Sequence, residues 1–227
     1  MKKVLAILAL LAALNINAQG EANNWYFGLN AGLDFNGTDP VPISGSLSTN
    51  EGCATFSDKQ GNLLLYTDGL TVWNRAHQIM PGGRGLLGNP SSTQSGLIVP
   101  HPGDAVKFYI FTVGTTYDES LPGLNGYVVD MTEDNGMGAV VEGPIDLSDG
   151  KSQIWTEKVT SVKGAECHTF WVISLVGNTY YSYKIDQNGL NTTPVKSVVS
   201  KVAADVRGYL KVSPDGTKLA TATFNTR

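Results

Sequence analysis

Phe170-Trp171-Val172-Ile173-Ser174-Leu175-Val176, Gly177-Asn178, then Thr179-Tyr180-Tyr181-Ser182-Tyr183-Lys184-Ile185 reads as a β-hairpin. Two runs rich in β-branched and aromatic residues flank a Gly-Asn corner, which supplies the positive φ that a tight antiparallel turn needs. The second arm alternates, with Tyr181, Tyr183 and Ile185 set against Tyr180, Ser182 and Lys184, so its two faces meet different environments. The first arm is apolar on both sides, as expected of a strand buried between sheets.

The same unit recurs along the chain: a β-rich run, a turn of Asp or Asn with Gly, and another β-rich run. It appears at Phe56 to Tyr66 around Asp58-Lys59-Gln60-Gly61, and at Tyr127 to Val141 around Glu133-Asp134-Asn135-Gly136. It returns at Tyr183 to Gly189 and at Leu210 to Ala220 around Pro214-Asp215-Gly216. Strand cores starting near Leu63, Phe108, Phe170 and Leu210 are roughly 40 to 60 residues apart, against about 40–45 for a WD-type propeller blade. No window beyond the leader carries helical periodicity with caps. The expected fold is all-β: a β-propeller-like repeat of WD or YVTN type, incomplete, with four to five blades. A β-sandwich pair is the alternative. The last unit has too little chain for a full blade, and an open ring exposes an apolar blade face. The expectation is therefore an N-terminal fragment of a longer protein.

Residues 1–18 read as a secretory signal peptide, with Lys2 and Lys3, the apolar run Val4 to Leu14, and a small residue at a cleavage junction between Ala18 and Gln19. Residues 19–227 are then the mature repeat domain, routed through the periplasm to the cell surface or the medium. Nothing later approaches the ~18 apolar residues of a membrane span. The chain of 227 residues has 41% hydrophobic and 16% charged residues and a net charge of -4, which excludes intrinsic disorder and argues against a nucleic-acid partner. In an exported chain its two cysteines, Cys53 and Cys167, are compatible with a disulfide that would stabilise by roughly 4–5 kcal/mol, or with two buried thiols. Both lie in strand-like contexts. The sequence leaves the two readings open.

Candidate chemistry is sparse. His77, His101 and His168 form no His-x-x-x-His pair, and there is no Cys-x-x-Cys, so no zinc signature exists. Cys167 and His168 are neighbours, which on a strand would point to opposite faces and would not form a nucleophile pair. Asp130, Thr132 and Asp134 space like a calcium loop, but Gly136 is one place late and the twelfth-position Glu is missing. Thr67-Asp68-Gly69-Leu70-Thr71-Val72-Trp73 resembles the Asp-box of sialidase-type propellers in altered order. Asp34, Asp104, Asp118 and Glu119 offer carboxylates without singling out a glycosidase pair. Gly82-Gly83-Arg84-Gly85 lacks the strand-to-helix context of a phosphate loop. Trp25, Tyr26, Phe27, Trp73, Trp155 and Trp171 could stack on sugars where exposed. Arg75, His77 and His101, beside Gly-rich loops, are the candidate ligand-facing positions. No cofactor or metal is expected.

Asn23-Asn24-Trp25-Tyr26-Phe27-Gly28, Glu51-Gly52-Cys53-Ala54, Gly61-Asn62-Leu63-Leu64-Leu65-Tyr66-Thr67-Asp68-Gly69, Thr71-Val72-Trp73-Asn74, Ser91-Ser92-Thr93-Gln94-Ser95 and Ile98-Val99-Pro100-His101-Pro102-Gly103 together resemble the opening of a group of large secreted bacterial surface proteins. Gly208-Tyr209-Leu210-Lys211 and Ser213-Pro214-Asp215-Gly216 continue the likeness. The group is similar to propeller-bearing proteins exported by the type IX secretion system of gliding bacteria. The resemblance implies an N-terminal propeller followed by PKD or other immunoglobulin-like modules and a gliding-motility-type sorting domain. The leader, the repeat fold and the lack of an assembled catalytic constellation point to a non-catalytic binding or scaffolding module whose partner is a surface protein or a glycan. A carbohydrate-active propeller, lectin or glycoside hydrolase, is the competing expectation.

Overall fold

The computed structural model describes residues 20–115, 123–200 and 205–224. The leader, its Ala18–Gln19 junction, and the carboxylates Asp118 and Glu119 lie outside them. The described chain is all-β. Its helical pieces are single turns at Gly20–Ala22, Glu133–Gly136 and Ser152–Ile154.

Five antiparallel sheets follow one another. Sheet 1 holds β1 (Asn24–Phe27), β2 (Leu29–Asp34) and β3 (Val41–Ser48). Sheet 2 holds β4 (Ala54–Ser57), β5 (Leu63–Thr67), β6 (Thr71–Asn74) and β7 (Ile79–Arg84). Sheet 3 holds β8 (Gly96–Pro100), β9 (Lys107–Val113), β10 (Leu124–Asp130) and β11 (Ala139–Asp146). Sheet 4 holds β12 (Trp155–Lys163), β13 (Phe170–Val176), β14 (Thr179–Asp186), β15 (Gly189–Leu190) and β16 (Val195–Val198), the last pairing with β14. Sheet 5 holds β17 (Leu210–Val212) and β18 (Leu219–Thr221). None of the sheets closes on itself, and the strands are spread over five sheets rather than the two of a sandwich. The first strand of each sheet lies against the first strand of the next: β1 on β4, β4 on β8, β8 on β12 and β12 on β17.

Period-two side-chain alternation explains how the sheets stack. On β9, Phe108 and Ile110 enter the apolar cluster shared with sheet 2, beside Leu65, Val72 and Met80. The intervening Tyr109, Phe111 and Val113 enter the cluster shared with sheet 4, beside Trp155, Val172 and Tyr183. Sheet 2 is divided the same way, since Leu65 and Val72 face sheet 3 whereas Tyr66 and Trp73 join Tyr26 and Leu47 of sheet 1. A strand apolar on both faces is therefore a strand between two sheets.

The 170–185 hairpin forms as read. Val176 pairs with Thr179 across Gly177-Asn178, and Gly177 has φ +55°. Tyr181, Tyr183 and Ile185 are buried while Tyr180, Ser182 and Lys184 are half-buried. The first arm needs a correction: Val172 and Ser174 to Val176 are buried, but Phe170, at the edge of the cluster shared with sheet 3, is half-buried, and so are Trp171 and Ile173 on the opposite face, which the two strands of sheet 5 cover incompletely. The corner glycines Gly61, Gly136, Gly189 and Gly216 all take positive φ. Cys167 is also corrected: it sits in the turn between β12 and β13 with His168 at φ +56°, not in a strand.

Candidate functional site

The hairpin corners consume most of the polar groups that looked chemically useful. Asp68 accepts hydrogen bonds at Oδ1 from the amides of Leu70 (2.9 Å) and Thr71 (2.7 Å). Thr67 Oγ1 accepts from Gly69 N and donates to the Thr71 carbonyl. The Asp-box-like run is thus a self-closed turn between β5 and β6. Asp58, Asp130, Asp186 and Asp215 close their own corners in the same manner. Among the described residues no three His, Cys, Asp or Glu side chains cluster as a metal site.

Arg75, His77 and His101 are not brought together as one loop surface. Arg75 is exposed between β6 and β7, its guanidinium lying against the Gly136 corner of sheet 3. His77 shares that turn, but its Nδ1 lies 3.0 Å from Tyr66 Oη and its ring edges onto Tyr26. His101 belongs to the β8–β9 turn, where Nδ1 accepts from Gly103 N at 3.0 Å and the ring stacks on Tyr109 at 5.5 Å. Both histidines are packing residues at sheet seams. Cys53 and Cys167 are free thiols, so the disulfide alternative is not realised in this structure. Cys53 is half-buried against the Tyr26–Tyr66–Trp73 cluster, and Cys167 is exposed, so the buried-thiol alternative holds for Cys53 only in part and for Cys167 not at all.

Two places concentrate interactions instead. The first is a polar hub where β12 begins. Glu157 is buried; its Oε2 accepts from the Thr93 amide (3.0 Å) and hydroxyl (2.9 Å), and its Oε1 from the Thr115 hydroxyl (2.6 Å). Lys158, also buried, donates from Nζ to the carbonyls of Asp205 (3.1 Å), Val206 (2.8 Å) and Arg207 (2.6 Å). Burial pulls the Lys158 ammonium below the usual lysine range, against the opposing pull of Asp205 and Glu157. Gln94 adds a bridge, accepting from Val159 N and Leu210 N. The Ser91–Ser95 segment behind it packs so closely that a side chain at Gly52 would begin 2.2 Å from Ser95 N, which explains the glycine.

The second is a cleft of about 740 Å³ where sheets 1 and 2 meet. Its walls are Trp25, Tyr26, Phe27, Leu33, Cys53, Ala54 and Phe56, with Glu21, Asn24 and Thr55 as polar members. Of the six aromatics considered for sugar stacking, Trp25 at 52% and Phe27 at 39% exposure present the most surface, whereas Tyr26, Trp73 and Trp155 are buried. Burial, with Asp68 nearby, pushes the Cys53 thiol up. Burial, then Tyr66 and Asp34, does the same to the Tyr26 phenol.

No protein-family model matches the chain, and no curated protein matches it.

Glu157 and Lys158 escape a motif search, and Thr93 and Gln94 appear only within the Ser91–Ser95 run, because their contacts join segments far apart in sequence. No helix among the described residues is long and apolar enough to cross a membrane.

Proposed function

We propose that this chain is a secreted cell-surface module with a β-propeller-like array of four to five blades, serving binding or scaffolding rather than catalysis. The observation that carries the reading is the succession of antiparallel meanders in which each sheet's first strand lies against the next sheet's first strand. Blades set around a common axis have that relationship, and they leave loops and seams for recognition. Further support comes from the turn carboxylates, which are committed to closing hairpins. Exposed Leu29 and Val41 at one end of the array, and Tyr209, Leu219 and Phe224 at the other, suit additional sheets or modules of a longer parent protein. The likeness to type IX-exported surface proteins accords with this role, with a surface protein or a glycan as partner.

Protease shaving of intact cells, combined with a glycan array and a hydrolysis assay on residues 19–227, tests the proposal. Surface accessibility without turnover is the expected result. Reproducible glycan hydrolysis abolished by one carboxylate substitution would establish the carbohydrate-active alternative instead.

A further inference from the structure

The cleft between sheets 1 and 2 has a composition that selects its occupant. Its lining is dominated by aromatic and aliphatic carbon, and its polar members are few. Asn24, buried, spends its amide on Ser57 Oγ (3.0 Å) and the Gly61 carbonyl (2.7 Å). Thr55 Oγ1 already accepts from the Tyr26 amide at 3.1 Å. A sugar seated there would bury hydroxyls with too few partners, at a cost of about 1–3 kcal/mol for each one left unsatisfied.

Charge points the same way. Glu21 is the one charged residue among the described residues lining the cleft, and no lysine or arginine lines it. Trp25 is held open as a platform by its indole N–H, which donates to the Ala22 carbonyl at 2.9 Å, and by Phe35 tilted against it at 4.9 Å. An aromatic lining with one carboxylate and no cationic side chain favours a cation carried on an apolar body.

We propose that the Trp25–Phe27–Glu21 cleft binds organic ammonium groups attached to an aromatic or aliphatic body. The proposal rests on the binding-module reading and gives that module a ligand class.

Titration of residues 19–227 with benzylammonium, benzyl alcohol and benzoate, followed by calorimetry and tryptophan fluorescence, tests it. These probes share one ring and differ in charge. Saturable binding in the order cation, neutral, anion is expected. Glu21→Gln should weaken the cation by roughly threefold to tenfold and leave benzyl alcohol unchanged. Trp25→Ala should remove binding of all three, while Trp25→Tyr, which keeps a ring, should retain the cation preference. Equal affinity for the three probes, or no saturable response with a folded protein, overturns the assignment. Capture of a surface partner with no ammonium binding would sink this inference alone and leave the module reading standing.

Discussion

Glu157 and Lys158 are consecutive on β12 yet bind opposite neighbours: the carboxylate takes Thr93 and Thr115, and the ammonium takes the 205–207 carbonyls. They sit in the irregular register of β12 between Trp155 and Val159, where both side chains are buried, so one dipeptide ties sheet 4 both to the loop before β8 and to the segment leading into sheet 5.

Lys158→Met should take one donor from each of three carbonyls, of which Val206 keeps Glu157 N and Arg207 keeps Phe224 N, and cost about 1–3 kcal/mol. Hydrogen exchange should show faster opening at residues 205–210, with sheet 3 amides unchanged. Uniform exchange behaviour across both regions would contradict this.

Glu157→Ala removes the acceptor that the Thr93 amide and the Thr93 and Thr115 hydroxyls share, again costing about 1–3 kcal/mol. Urea midpoints would register it. Because Glu157 and Lys158 are adjacent, attract each other, and meet through Thr93, whose hydroxyl accepts from Gly208 N, the double variant should depart from additivity by about 0.5–3 kcal/mol.

Phe111→Ala should be the most damaging single change, at about 3–5 kcal/mol, since the ring is fully buried at the sheet 3–sheet 4 seam. A denaturant midpoint within experimental error of the parent would refute that packing.

Asp205 accepts two hydrogen bonds from the Arg207 guanidinium, at 3.0 Å and 2.6 Å, which hold its carboxyl at about 2. The folded value lies below the unfolded one of about 3.9. The associated stabilisation is therefore complete above pH 4 and is lost as pH falls toward 2. Asp205→Asn should flatten that part of the melting-temperature profile, lowering the melting temperature modestly at neutral pH and leaving it little changed near pH 2.

The thiols should differ in reactivity. Cys167 is exposed, while burial raises the Cys53 thiol above its usual range and lowers its thiolate fraction. Alkylation at pH 8 followed by mass spectrometry should label Cys167 first. The intact mass should be the same before and after reductant, because the two are not bonded.

The hairpins are legible in the sequence because their determinants are local. Gly177-Asn178 sets a corner, and the alternation of Tyr181, Tyr183 and Ile185 sets a face, all within one hydrogen-bonded unit. Glu157-Lys158 is illegible for the opposite reason: inside Thr156 to Val159 it reads as an ordinary solvent-facing pair. Its burial comes from an irregular register between Trp155 and Val159, together with Thr93 and Asp205 far away in the chain. His77 and His101 mislead similarly. Glycine-rich surroundings suggest open loops, yet Tyr66 and Tyr109, which belong to neighbouring strands, receive both rings. The Trp25 cleft depends on which side of β1 is left uncovered, a property of the assembled sheets rather than of the run Asn24 to Phe27.

Because most corners are stapled by their own Asp or Asn, each meander can form before its neighbours arrive, and its oily sides act as glue added afterwards. Tension applied at the two termini should therefore release the molecule in discrete steps. Sheet 1, fastened to one neighbour, should peel away early, and β9, gripped from both sides, should be among the last pieces to let go.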